Sequence, residues 1–442
     1  MSPVGRKDAR VVRGATLSFR ADPRGGQEPG ACAFEERGAV AIAEGRIAWC
    51  GPFARLPQEF ASAPCEDYGA ALVLPGLIDA HIHFPQYRML AAPGRDLLDW
   101  LNRFAFPEEA RYADEAYAIA AAEVFLDRLL QHGTTTALAF SSVHSVCAEA
   151  LFAVAERREM ALLTGKTMMD RNAPQAVLDD PETGVRESEA LLQKWHGRGR
   201  LGYAITPRFA VTSSEAQLRL SGELCRTYPQ CLMQTHLSES AREITVVKAQ
   251  FPWAKDYTDI YDRCGLLGRK SFFAHGVHLS ERECARLAES ESTVVHCPTS
   301  NTFLGSGLFD IDQVGDPRRP VGIAVATDVG GGTGYSMLAT LGEAYKVAQL
   351  KGRRLRAEEA FYMGTLGNAR RLGLDREIGS LEPGKWADLV VLDPWATPVL
   401  ASRQEVSETL EDVLFSLIIL GDDRAVGATY VAGRQWHGKK TQ

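Results

Sequence analysis

Four strand-like runs, far apart in the chain, carry side chains that bind divalent metal ions. His81 and His83 close the run Leu72–His83, and His236 stands near the end of Cys231–Leu237. His275 lies in Ser271–His278, and Asp328 follows Val321–Thr327. Residues two apart in a strand point the same way, so His81 and His83 can face one pocket. Neutral imidazole nitrogens suit a first-row divalent ion such as zinc, and a carboxylate completes an N/O donor set. A single His-x-His pair in a strand is usually incidental. Imidazoles on three strands and a carboxylate on a fourth form a metal centre only if the fold brings those strand ends together.

The elements that must do this are legible as an alternation. Eight β-branched runs are found at Leu72–His83, Thr134–Phe140, Met160–Met169, Leu201–Phe209, Cys231–Leu237, Ser271–His278, Thr293–Cys297 and Val321–Thr327. Between most of them lie helical patterns; Glu115–Gln131 repeats Ala, Val, Phe and Leu at helical spacing, with Gly133 just beyond its end. Repeated βα units of this number predict a closed (β/α)8 barrel, whose catalytic groups gather at the carboxyl ends of the strands.

The two ends of the chain read differently. Residues Ala9 to about Ala71 hold short strand-like runs, and Asp22–Gly30 is a Gly/Pro-rich loop. From Ile378 onward the style returns, with a Pro383-Gly384 turn and strands at Asp388–Leu392 and around Thr429–Val431. Neither end can bury a sheet alone. Together they predict a small β-sandwich domain, from residues 1–71 and 378–442, beside a catalytic barrel at 72–377.

Composition narrows the function class. The chain has 442 residues, 45% apolar and 24% charged, as in an ordinary soluble globular protein. A net charge of −7 argues against a nucleic-acid or anionic-membrane partner, which would need a basic face. No apolar run reaches the roughly 20 residues that span a bilayer. Val413–Leu420 fits a buried strand or helix, and no secretion signal follows the charged N-terminus. Nine cysteines, an odd number without a C-x-x-C pair, suit a reduced, cytoplasmic chain. The Gly330–Gly334 run lacks the lysine of a phosphate loop and reads as a tight turn.

The run Pro75-Gly76-Leu77-Ile78-Asp79-Ala80-His81-Ile82-His83 resembles the opening motif of the amidohydrolase superfamily. Phe84-Pro85-Gln86-Tyr87, Thr206-Pro207-Arg208-Phe209, Thr235-His236-Leu237-Ser238-Glu239 and His296-Cys297-Pro298-Thr299-Ser300-Asn301 are similar to the guanine deaminases within it. So are Thr327-Asp328-Val329-Gly330-Gly331 and Leu420-Gly421-Asp422-Asp423-Arg424. The likeness runs over nearly the whole chain. It implies one zinc ion per subunit on His81, His83, His236 and Asp328, although iron(II) or manganese(II) suits a similar donor set. It implies Glu239 as the proton-transfer group and His275 as a partner of the activated water. Gln86, Arg208 and Phe209 are implied as contacts of a purine base, with a homodimer as the assembly. Many superfamily members bridge two metals with a carboxylated lysine at the end of strand 4. Here that strand ends in Thr206-Pro207-Arg208-Phe209, and Lys166 lies on strand 3, so one metal is expected. The H-x-E…P-C-x-x-C signature of other zinc deaminases is absent.

The expected reaction is hydrolytic deamination of guanine at C2. Glu239 would move the water's proton to the adjacent ring nitrogen, and Glu239 and Asp328 would help protonate the leaving amine. Arg208 would donate to the purine O6, and Gln86 offers both a donor and an acceptor. Trp100 fits helix packing better than a pocket cap. His132, His144, His196 and His278 read as structural or exposed, and His296 is open. Two other readings share this sequence: the same machinery acting on cytosine, a triazine, a pterin or an adenosine derivative, and a non-catalytic scaffold on this fold. Ammonia release and xanthine formation from guanine, compared with those substrates, decide the first, and a metal-free folded protein would favour the second.

Overall fold

The structure, a computed structural model, describes residues 9–24 and 30–438, so most of the Asp22–Gly30 loop lies outside the described residues. Eight parallel strands follow one another around a barrel: Leu77–His83, Thr134–Phe140, Ala161–Gly165, Leu201–Pro207, Leu232–Leu237, Ser271–His275, Thr293–His296 and Gly322–Val325. A two-residue strand, Thr167–Met168, also pairs with the fourth. Each expected run holds a barrel strand, though most are shorter at one or both ends. The helix at Glu115–Gln131 spans the expected residues, with Asp114 capping its start by accepting from the Tyr117 N–H.

Every barrel strand sends an apolar side chain inward. Ile78, Leu138, Leu163, Ala204, Leu232, Phe272, Val295 and Ala324 form one buried cluster that plugs the interior. The seam between first and last strands is closed largely by side chains. Asn368 Nδ2 donates to the carbonyls of Ile78 and Val325 (2.7 and 2.8 Å), and its Oδ1 accepts from the Val325 N–H. Above it, the backbone N–H of Asp328 donates to His81 O at 3.0 Å and that of His83 to Val329 O at 2.7 Å.

The run Leu72–His83 is not one strand. It breaks at Gly76: Cys65–Pro75 belongs to a second sheet, and Leu77–His83 opens the barrel. A Cβ at Gly76 would lie 2.1 Å from Thr135 Oγ1, so only glycine lets the chain pass this close to the second barrel strand.

The second sheet has seven strands drawn from both chain ends. Arg10–Phe19 pairs with Cys65–Pro75 in parallel and with Cys32–Ala43 in antiparallel fashion. Leu389–Leu392 joins Cys65–Pro75 on its other side, followed outward by Val426–Val431 and Arg434–Gly438. The far edge, Arg46–Pro52, curls back to the C-terminal half, where Ile47 N–H donates to Lys385 O at 2.8 Å. The sheet thereby wraps around a core of Val12, Val40, Ile42, Val73, Leu389, Val391 and Tyr430. Two helices, Pro398–Gln404 and Leu410–Leu420, interrupt the C-terminal strands, so the Val413–Leu420 run is helical. Among the described residues, no helix is long and apolar enough to cross a membrane.

Candidate active site

The first barrel strand carries a bulge: Asp79 and Ile82 face Ala137 and Ala139 of the second strand, one residue more than its partner. Ile78 and Ala80 lie in the apolar plug, His81 lies within the bulge, and His83 beyond it opens onto the carboxyl-end cavity. Their ring centroids lie 5.0 Å apart, and that of His236 lies 4.9 Å from His81 and 5.1 Å from His83. His83 Nε2 is 3.1 Å from His236 Nε2, and Asp328 Oδ1 is 3.2 Å from His81 Nε2 and 3.5 Å from His83 Nε2. A tetrahedral ion with bonds of about 2.05 Å holds its ligand atoms about 3.3 Å apart. These three separations fit such an ion, with His81, His83 and His236 forming one donor cluster and Asp328 beside His81 and His83. His81 Nε2 is also a buried nitrogen with no hydrogen-bond partner.

The electrostatics agree with that donor set. Burial drives His83 and His236 well below the ordinary imidazole range and lowers His81 as well, leaving neutral rings with lone pairs free for a metal. Asp328 goes the other way. Burial alone would raise it, but the adjacent His81 and the other imidazoles around it hold it at about 2. His236 is further aimed by its Nδ1, 2.7 Å from Arg208 O. Cys297 Sγ also lies within 4.8 Å of donor atoms of His81, His275 and Asp328, but burial pushes its thiol well up, against metal binding.

Glu239 and His275 sit beside this cluster, with 3.4 Å between His275 Nε2 and Glu239 Oε2. Burial raises the Glu239 carboxyl to about 7, against the pull of His275. His275 is disfavoured as a cation by burial, yet Glu239 and Asp328 outweigh this and raise it. Ser238, His275 and Asp328 have positive φ (49°, 73° and 52°), a conformation costing non-glycine residues about 1–3 kcal/mol each. Three such residues cluster where the chain must turn side chains into one cavity.

That cavity is lined by His83, Gln86, Arg208, Phe209, His236, Glu239, His275 and Asp328, with Leu97, Trp100, Leu101, Leu304 and Gly331 around them. All nine site residues expected from the sequence therefore meet in one place, His81 through the imidazole cluster. Trp100 lies on the short helix Leu97–Trp100 and also faces the cavity, where helix packing was favoured over a pocket cap. Gln86 departs from expectation in part: its Nε2 donates to Glu109 Oε1 at 2.7 Å, so one of its two amide N–H groups is taken. The other histidines stay outside this cavity. His296 stacks on Phe309 and is pushed down to about 3, mainly by burial, and His278 Nε2 lies 2.7 Å from Ser306 O. Lys166 is buried against Asp179 and Glu187, away from the cavity lining.

Four supporting residues escaped the sequence reading. Asn301 Oδ1 lies 2.8 Å from His275 Nδ1, and the Ser306 hydroxyl donates to Glu239 Oε1 at 2.9 Å. Asp79 accepts from the Thr327 hydroxyl and N–H, which steadies the strand end bearing Asp328; burial raises its carboxyl to about 7. Glu109 accepts from Arg208 Nη1 at 2.8 and 2.6 Å. Asp79 and Asn301 stood inside family motifs without an assigned role; Ser306 and Glu109 had no recognisable spacing.

Comparison with known proteins adds lineage to this geometry. Residues 72–435 match the model of the amidohydrolase family. The guanine deaminase of Escherichia coli K12 is 44% identical over 432 residues, covering 97% of this chain and 98% of that protein. The crystal structure of guanine deaminase from Bradyrhizobium japonicum superposes with a TM-score of 0.94 at 37% identity, covering 98% of this chain and 100% of its own. That of guanine deaminase from C. acetobutylicum, with guanine bound in its active site, superposes at 0.86 with 27% identity, covering 97% and 100%.

Proposed function

The chain belongs to the amidohydrolase family, and from that premise we propose that it hydrolyses guanine to xanthine and ammonia. The observation that carries this reading is a single cavity in which Arg208 and Gln86 accompany Glu239 and a His/Asp donor cluster. His81, His83, His236 and Asp328 would hold one zinc ion per subunit. When bound, the ion supplies Lewis acidity that makes water nucleophilic near neutral pH.

The chain's own groups do the rest. Glu239, raised to about 7, accepts a proton from the attacking water and delivers it to the ring nitrogen beside C2. As the C2–N bond breaks, a proton passed through Glu239, with Asp328 assisting, lets nitrogen leave as ammonia. His275, braced by Asn301 and set beside Glu239, holds the water oxygen by a hydrogen bond. Arg208 donates to the purine C6 oxygen, and Phe209, edge-on to His236 with 5.9 Å between centroids, packs against the base. The protein acts as a cytoplasmic homodimer, consistent with its free cysteines and the family resemblance.

The test is ammonia and xanthine release across guanine, cytosine, a triazine, a pterin and adenosine, with metal analysis of the same protein. Guanine turnover with about one zinc per chain is expected. Glu239→Gln should keep the metal and lose about 10²–10⁴-fold in turnover; an active variant would remove Glu239 from the mechanism.

A further inference from the structure

Glu109 lies outside the His/Asp cluster and does not itself line the cavity, yet it holds both polar side chains meant for the base. It lies at the end of Phe106–Glu109, reached through a π-helical turn at Leu101–Ala105 that follows Trp100. Its side chain is 1% exposed. It accepts twice from Arg208 Nη1 and once from Gln86 Nε2.

A carboxylate can only accept, whereas a primary amide has one donating and one accepting end. The amide nitrogen of Gln86 must therefore face Glu109. Its Oε1 is left as the opposite end, accepting from the Gly330 N–H at 3.4 Å with a lone pair to spare. The loop can come this near because a Cβ on Gly330 would lie 2.7 Å from Gln86 O. Arg208, meanwhile, has Nη1 bound to Glu109, and its remaining nitrogens are uncommitted among the described residues. The pocket then presents one oriented acceptor beside oriented donors.

We infer that Glu109 is the positioning residue that sets this polarity and thereby selects a 6-oxopurine edge, N1–H beside C6=O, over a 6-aminopurine edge. The inference rests on the guanine reading above. A 6-oxopurine donates from N1 to Gln86 Oε1 and accepts at O6 from Arg208. A 6-aminopurine has a lone pair at N1 and N–H bonds at C6, so acceptor would meet acceptor and donor would meet donor. A buried site built for hydrogen bonds rejects such a mismatch strongly.

The experiment compares guanine with 2,6-diaminopurine, which carries the same C2 amino leaving group but the opposite C6 and N1 pattern. Both lose that amine as ammonia when water adds at C2. In the zinc-loaded wild-type protein, kcat/KM should favour guanine. In Glu109→Gln, Gln86 is free to turn, so guanine should lose about 10–100-fold, more in KM than in kcat. 2,6-Diaminopurine should be unchanged or gain, so the preference should shrink at least tenfold. Equal losses on both substrates would show a merely structural residue and overturn the inference. Should Glu109→Gln not accumulate as folded protein, Glu109→Asp keeps the charge for Arg208 while drawing back from Gln86. The same narrowing is expected there, and an unchanged preference is equally fatal. Failure of the wild-type protein to deaminate guanine would instead remove the underlying functional reading.

Discussion

Replacing Arg208 by methionine separates what this arginine does for the fold from what it does for the base. The side chains of Arg208 and Glu109 are 2% and 1% exposed, with 2.6 Å between Nη1 and Oε2. Removing the cation strands a buried carboxylate with only the Gln86 amide as donor, which costs about 3–5 kcal/mol. Unfolding entropy scales to about 0.9 kcal/mol/K for 442 residues, so the melting temperature should fall by roughly 4 °C. The double variant Arg208→Met/Glu109→Gln removes both charges and should recover most of that loss. Its activity should not recover, because the purine O6 still lacks its charged donor. A hydrogen bond from a charged group contributes about 1.5–3 kcal/mol, so kcat/KM for guanine should fall about 10- to 100-fold in both variants. Thermal melts and ammonia release on the zinc-loaded proteins read the two effects separately. A double variant no more stable than Arg208→Met would refute the buried pair, and near-normal kcat/KM in either protein would refute the contact with the base.

Two further predictions follow from neighbouring contacts. The Ser306 hydroxyl favours the charged form of Glu239, so Ser306→Ala should raise the pKa of that carboxyl. Glu239 accepts a proton only when ionised, so the acid limb of the kcat/KM profile should move to higher pH; an unmoved limb would show that another group governs it. Gly76→Ala forces a methyl group into Thr135 and should cost about 1–3 kcal/mol in a denaturant melt, with the preference among substrates unchanged. A variant as stable as the parent would show that the sheet-to-barrel step tolerates a side chain.

The candidate metal donors were legible because strand periodicity is local. His81, His83, His236 and His275 each sit on a run of β-branched and apolar residues, Asp328 follows another such run, and a parallel barrel must gather those strand ends. The break at Gly76 was marked only by the Pro75-Gly76 step, inside a run whose apolar pattern continues on both sides. Its cause is a crossing, since Thr135 occupies the space that a side chain would need. Glu109 was illegible for a different reason. Phe106-Pro107-Glu108-Glu109 reads as a charged, solvated helix start, and nothing local separates Glu108, half-buried against Arg111, from Glu109, fully buried against Arg208. Residue type and spacing thus determined which groups could bind a metal and which strands would carry them. Only tertiary structure decided the direction of the Gln86 amide, because a hydrogen-bond polarity belongs to a pair of groups that chain folding brings together.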